Sequence, residues 1–235
     1  MSDMITCVLP TRNRPAFVRQ AIRCFLGQSY DLSELIVVDD GDQSVEHLCT
    51  GLYRVRYVRL DEPATLGNKL NIGIRHAEGA IIQKLDDDDY YHPSFLERAV
   101  AALPDANPAR TLVAWDCFLI LLAGEYQIRY SGHGWTAGGT LCFHRALWDR
   151  VPFRDAPRAV DTFFIEDHRP NIVRLCAPEL YMLVRHGRNT WTRLSNGAEV
   201  NAYFKRLPVY RKRIEECVEP LDAVFYRSLT NEGAK

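Results

Sequence analysis

Ala80-Ile81-Ile82-Gln83-Lys84-Leu85-Asp86-Asp87-Asp88-Asp89-Tyr90-Tyr91-His92-Pro93 runs from a hexamer with four apolar residues straight into four consecutive carboxylates. A short apolar run of this length predicts a strand covered on both faces. The aspartates then fall at its carboxyl end, where ligands gather in open α/β sheets. Toward the N-terminus the same grammar repeats. Strands are predicted at 5–9, 35–38 and 55–58, separated by helical spacing over 15–27, 45–49 and 66–76. In 15–27 the apolar side chains Phe17, Val18, Ala21, Ile22 and Phe25 fall on one helical face. This alternation predicts a right-handed parallel α/β sheet of the Rossmann-like kind, with helices on both faces.

Beyond residue 111 the pattern changes. Runs at 112–117 and 126–130 predict strands of a mixed or antiparallel part, and the glycine-rich stretch 131–140 predicts a mobile or tightly turned loop. Then come a strand at 141–143, a short helix at 145–150, and two strands at 172–176 and 180–185 divided by Pro178. Helical spacing returns over 199–228, through Val200, Tyr203, Phe204, Leu207, Tyr210, Ile214 and Cys217. The expected organisation is one catalytic-type domain over 1–195, with two halves at 1–110 and 111–195, followed by a helical C-terminal extension at 196–235.

Of the 235 residues, 47% are hydrophobic and 25% charged, a balance that excludes a disordered or fibrous chain. The longest apolar run, 118–123, is far too short to span a bilayer, and Met1-Ser2-Asp3 lacks the charged start of a signal peptide. A cytoplasmic protein without an integral membrane segment is expected. The seven cysteines (Cys7, Cys24, Cys49, Cys117, Cys142, Cys176 and Cys217) are scattered and never form a C-x-x-C pair, so they read as buried thiols and not as staples or zinc ligands. The net charge of -1 is uneven. Residues 1–168 carry 17 Lys+Arg against 23 Asp+Glu, and residues 169–235 carry 12 against 7. The basic end suits either a solvated helical face or an acidic partner.

Four adjacent carboxylates repel and raise one another's pKa, and a hard divalent cation bound through oxygen offsets that repulsion. Mg²⁺ or Mn²⁺ takes one or two carboxylates and shares its shell with phosphate oxygens, which points to a diphosphate-bearing substrate. The competing reading is an acidic loop capping the helix that starts near Pro93. Asp39 and Asp40, before Gly41, sit at another strand end, suited to a base N–H or ribose hydroxyls, or simply to a turn. Pro10, Thr11, Arg12, Asn13 and Arg14 line the same edge, and Lys69 offers a cation near a helix start, for phosphate or for solvent.

Taken in order, Val8-Leu9-Pro10-Thr11-Arg12-Asn13-Arg14, Val37-Val38-Asp39-Asp40-Gly41, Asn71-Ile72-Gly73-Ile74 with Ala77-Glu78-Gly79, and the four aspartates resemble the family 2 glycosyltransferases of the GT-A fold over roughly residues 4–190. The resemblance implies an inverting transferase that takes a sugar from a nucleotide diphosphate sugar, a UDP-sugar first of all, with Mn²⁺ or Mg²⁺ held by a D-x-D-type motif. It implies that Pro10, Thr11, Arg12, Asp39, Asp40 and Lys69 serve the donor. Asp86 and Asp88 would serve ribose and metal, with the register open by one residue, so that Asp87 is a further donor candidate. His186 would be an additional metal ligand, with Arg185 or Arg188 near the phosphates. Gly138, Gly139 and Thr140 would lie where backbone approaches the transferred sugar, and Trp135 either stacks on an acceptor or packs into the core.

An inverting transfer needs a carboxylate base for the acceptor hydroxyl. The resemblance places it in a Glu-Asp pair opening a helix, which points to Glu166-Asp167. Pro170 leaves no room for a helix there, whereas one beginning at Asp161 fits. Asp161, with Val160 in place of the family's Glu, is therefore the expected base, and Asp167 the reserve. The acceptor stays open among glycan, lipid carrier, protein, natural product and a hydroxylated DNA base, and a homodimer through the C-terminal helices is a candidate assembly. The opposing class is a catalytically silent module that only binds nucleotide sugars. A dehydrogenase is excluded by the lack of G-x-G-x-x-G.

Overall fold

A computed structural model describes residues 3–104, 106–125, 127–194 and 196–229. Its first half alternates β1 (Ile5–Thr11), α1 (Pro15–Leu26), β2 (Ser33–Asp39), α2 (Glu46–Cys49), β3 (Val55–Arg59), α3 (Leu66–Arg75) and β4 (Ile81–Lys84). A two-residue β5 (Tyr90–Tyr91), α4 (Phe95–Ala102), β6 (Thr111–Cys117), β7 (Leu119–Leu122), β8 (Ile128–Tyr130) and β9 (Cys142–His144) follow. The chain continues through α5 (Arg145–Trp148), α6 (Val160–His168), β10 (Asn171–Cys176), β11 (Tyr181–Arg185), α7 (Val200–Phe204) and α8 (Pro220–Ser228).

Seven strands form one sheet in the order β10-β6-β9-β4-β1-β2-β3, and β5-β11-β7-β8 form a second. β1 to β4 are mutually parallel, while β9 runs antiparallel to both β4 and β6. Along β1 and β2 successive side chains enter opposite cores. Ile5, Cys7, Leu9, Leu35 and Val37 pack on the α1 side, and Val8, Ile36 and Val38 on the α3 side. Burial on both faces explains why these strands read as continuous apolar runs.

Helix α3 sits close on this sheet because of Gly73. A Cβ there would overlap Val8 Cγ1 and stand 3.2 Å from Val38 Cγ2. Gly73→Ala is accordingly expected to destabilise the chain by about 1–3 kcal/mol, overpacking outweighing the gain in helix propensity, with urea unfolding as the measurement.

The structure departs from the sequence-based expectations in several places. β5 and β7 were not foreseen as strands: β5 is two residues long, and an apolar tetrapeptide carries no periodicity of its own. β6, β9 and β10 form the mixed part expected beyond residue 111, β9 running antiparallel to β4 and β6, and they extend the main sheet. Residue 126, expected to begin a strand, lies outside the described residues, and β8 starts at Ile128. The glycine-rich stretch is the tightly turned of its two alternatives, closing on a 3₁₀ turn over Gly138–Thr140.

Continuous helical spacing over 199–228 breaks into α7, turns and α8. Pro208 has no amide proton to continue α7, and Pro220 reopens a helix at its first turn. Residues 230–235 of the expected extension lie outside the described residues. The extension packs back on the domain: Asp222 accepts from Gln20 Nε2 (2.8 Å) and Arg23 Nε (2.6 Å), and Tyr226 donates to the Asp89 carbonyl (3.1 Å). Its apolar residues Ile214, Val218, Ala223 and Leu229 are buried within the chain, while Leu221 and Val224 are exposed. No helix among the described residues is long and apolar enough to cross a membrane.

Candidate active site

The carboxyl ends of β1, β2 and β4 lie side by side, which brings Thr11, the Asp39-Asp40 pair and the aspartate run to one edge. Two loops of that edge are locked together. Asn13, in the left-handed region at φ 56°, exchanges hydrogen bonds with Asp42, its Nδ2 donating to Oδ2 (2.8 Å) and its Oδ1 accepting the Asp42 amide (2.7 Å). Asn tolerates this backbone better than most residues. The turn aims Arg14 back over the sheet edge.

The four aspartates have four different environments. Asp87 accepts from the Thr11 hydroxyl (2.7 Å) and Arg14 Nη1 (2.8 Å). Asp88 Oδ2 accepts from the same Arg14 nitrogen (3.0 Å), from Asn189 Nδ2 (3.1 Å) and from His186 Nε2 (3.0 Å). The His186 ring stacks on Phe17, and its Nδ1 accepts the Arg188 amide, which assigns the proton to Nε2. Asp89 accepts from the Tyr181 hydroxyl (2.5 Å) and the Val184 amide (2.9 Å), so it ties the run to β11. Asp86, with its side chain about 30% exposed, is the most open of the four.

Asp86 shares a buried cation with Asp161. Lys84 Nζ lies 2.7 Å from Asp86 Oδ1 and 3.5 Å from Asp161 Oδ1. Burial works to lower the Lys84 ammonium, but Asp161 and Asp86 outweigh it and raise its pKa. Burial raises the Asp86 carboxyl, which Lys84 opposes and Asp161 and Asp88 reinforce. Asp88 is held low despite burial, by the His186 hydrogen bond and by Arg14. Oδ1 of Asp161 is buried without a hydrogen-bond partner.

Gly138 and Gly139 make this approach possible. A Cβ on Gly138 would overlap Asp161 Oδ2, and one on Gly139 would stand 2.7 Å from the Tyr181 hydroxyl and 2.8 Å from Asp86 Oδ2. Tyr91 fixes the turn, its hydroxyl accepting the Asp86 amide and donating to the Gly139 carbonyl.

Asp86, Asp87, Asp88, Thr11, Gly139, His186 and Asp161 thus come together. Asp167 does not join them; it is bound by Arg154 (Nε 2.8 Å, Nη2 2.5 Å) at the far end of α6. Lys69 donates to Asp40 (2.7 Å) and to the Thr11 carbonyl (3.0 Å), so it is buried in an ion pair at this edge and not solvated. Asp40 also accepts the Ala64 amide. Asp39 is fully buried and accepts from the Gly41 and Val45 amides of the turn and from Tyr57 and Arg59 of β3. Pro10 is buried in β1 and Arg12 is exposed. Arg185 donates to Asn201 and the Trp191 carbonyl, and Trp135 packs among Phe118, Trp191, Tyr203 and Phe204. Arg14, read from the sequence only as one polar group of this edge, pairs with Asp87 and Asp88, whereas Lys84 and Asn189 were not among the expected site residues. A lysine inside a fully buried strand was the available sign of a paired acid.

Asp86 and Asp88 suit a hard divalent cation, since they offer oxygen donors beside a cradle that any Cβ would fill. Among the described residues, the group of three His, Cys, Asp or Glu with ligand atoms within 4.8 Å of one another lies elsewhere, at Cys117, His133 and Cys176.

Comparison with known proteins adds to this geometry. Residues 6–120 match the family model described as glycosyl transferase family 2. An uncharacterized glycosyltransferase of Rickettsia bellii is 31% identical over 132 residues, covering 54% of this chain and 19% of that protein. One of Haemophilus influenzae is 34% identical over 100 residues, covering 40% of each. The chain spans less than half the length of these curated relatives. Among solved structures, S. aureus TarS 1–349 in complex with UDP-GlcNAc superposes with a TM-score of 0.63 at 17% identity, over 79% of this chain and 60% of that one. Mannosyltransferase PcManGT from Pyrobaculum calidifontis, in complex with GDP-Man and Mn²⁺, gives 0.62 at 18% identity, over 81% and 59%. At these identities the likeness shows a shared fold.

Proposed function

Because the chain belongs to glycosyl transferase family 2, we propose that it transfers a sugar from a nucleotide diphosphate sugar, a UDP-sugar first of all, to an acceptor hydroxyl with inversion and with a divalent metal. The observation that carries this reading is the Gly138-Gly139 turn, which lays Asp86 of the strand-end run and Asp161 of α6 on either side of one buried ammonium. A carboxylate poised beside a ligand-binding edge, with one oxygen paired to the Lys84 ammonium and the other set against the Gly138 backbone, is what a general base requires. The nucleotide complexes of the two structural neighbours support a nucleotide-sugar donor.

Asp86 and Asp88 would hold the cation, with His186, Arg14 and Asn189 orienting Asp88. The metal supplies charge neutralisation to the leaving diphosphate. Asp161 takes the proton of the acceptor hydroxyl as the new C–O bond forms at the anomeric carbon and the bond to the diphosphate breaks. Residues 1–110 are the donor half in this reading, and 111–195, which brings Asp161, the acceptor half. The alternative base, Asp167, is engaged by Arg154 and does not reach the cluster.

A thermal-shift panel of UDP- and GDP-sugars, each with and without Mn²⁺, tests the proposal. A donor at a hundred times its Kd stabilises the native state by about 2.7 kcal/mol. One donor class is expected to raise Tm, and to do so only with the metal. A panel without any metal-dependent shift overturns the proposal. Release of free sugar from the binding donor in Mn²⁺ separates an enzyme from a silent module.

A further inference from the structure

A second cluster of ligating side chains lies at the β10 edge of the main sheet, outside the aspartate run. β6 and β10 are parallel neighbours whose register slips by one residue at their carboxyl ends. Leu175 faces Trp115, but Cys176 faces Cys117, so Asp116 is the extra residue. The bulge sets the two sulfurs 3.5 Å apart and turns Asp116 toward the loop at 131–137. Gly132 (φ 72°) and Gly134 (φ 95°) bracket His133 there. Asp116 Oδ1 accepts the Gly134 amide (2.8 Å), and its Oδ2 lies 2.6 Å from His133 Nδ1. Ligand atoms of Cys117, Cys176 and His133 all lie within 4.8 Å of one another.

We propose that Cys117, Cys176 and His133 bind a zinc ion, with water in the fourth position. Two thiolates at about 2.3 Å from a tetrahedral zinc stand about 3.8 Å apart, close to the spacing observed. A disulfide would need about 2.05 Å. Asp116, accepting Nδ1–H, supplies the outer-shell carboxylate that fixes the tautomer of a ligating histidine and leaves the Nε2 lone pair for the metal. The Tyr130 hydroxyl lies 3.2 Å from Nε2 and also meets the Cys117 thiol, so it bridges two of the ligands and gives way to the metal when zinc binds. Cys176 and His133 are exposed, so zinc has a path in. A donor set of two sulfurs and one imidazole selects zinc over the hard cations suited to the aspartates, which makes the two sites chemically independent. The cysteines, expected to be uniformly buried and non-ligating, include at Cys176 an exposed exception beside a partner. Bound zinc would clamp the edge strand to the loop that leads into Gly138 and Gly139.

The test is metal content. Full-length protein, fully reduced, exposed to zinc sulfate and desalted, is expected to retain about one zinc per chain. Cys176→Ser and His133→Ala should lose it, and Cys217→Ser should keep it. Cobalt(II) in place of zinc should give thiolate-to-metal charge-transfer absorption in the wild type and none in Cys176→Ser, which separates this site from metal held by carboxylates. Asp116→Asn should weaken zinc binding about ten- to a hundredfold. Zinc should also raise the Tm of the wild type and leave that of Cys176→Ser unchanged. Reduced wild type that retains no zinc, or variants that retain as much as the wild type, overturn the proposal. So does a Cys117–Cys176 disulfide in a chain that takes up no zinc after reduction.

Discussion

Asp161→Asn is expected to lower sugar transfer about a hundred- to ten-thousandfold in kcat while leaving the metal-dependent thermal shift by the donor in place. The amide is nearly isosteric and keeps the fit against Gly138, where there is no room for a Cβ. It cannot accept the acceptor proton. The comparison is Asp167→Asn, which removes an ion pair with Arg154 on the exposed end of α6 and should leave kcat near the wild-type value. Transfer retained in the first variant and lost in the second would move the base to Asp167. Loss of the donor-induced shift in Asp161→Asn would mean that the residue holds the donor and is not the base.

Lys84→Met is expected to destabilise the fold by about 3 kcal/mol, read as a lower urea midpoint at constant m. Met fills most of the volume, so the loss is electrostatic: Asp86 and Asp161 are left facing each other without their shared cation. Both carboxylates are roughly 30% exposed and regain some hydration, which keeps the cost at the low end for a broken buried pair. Adding Asp161→Asn should recover part of the stability, because it removes one of the two stranded charges. A double variant no more stable than Lys84→Met would show that the cost is packing, not charge.

These two residues mark how far the sequence could be read. Asp86 to Asp89 announced a ligand edge because four adjacent carboxylates at a strand end are hard to explain otherwise, and Asp161 followed from the helix that Pro170 permits. Which aspartate does what was not legible. The run turns sharply, and each carboxylate meets partners far away in the chain: Thr11 and Arg14 for Asp87, His186 and Asn189 for Asp88, Tyr181 for Asp89. Lys69 read equally as a cation for phosphate or for solvent, and only the fold shows the Asp40 carboxylate 2.7 Å from it. The cysteines looked inert because Cys117 and Cys176 are 59 residues apart, and only a bulge in a parallel strand pair makes them neighbours.

From the chain alone, the alternation of apolar runs and amphipathic helices determined the parallel α/β sheet, and the order of short motifs along it determined the resemblance to a family. Both are local signals, written within about ten residues at a time. The tertiary structure decided which charges are shared, which are open and which are spent on holding the fold together. Those outcomes depend on distances of a few ångströms between residues remote in sequence, where Coulomb energy and burial act, and no local pattern encodes them.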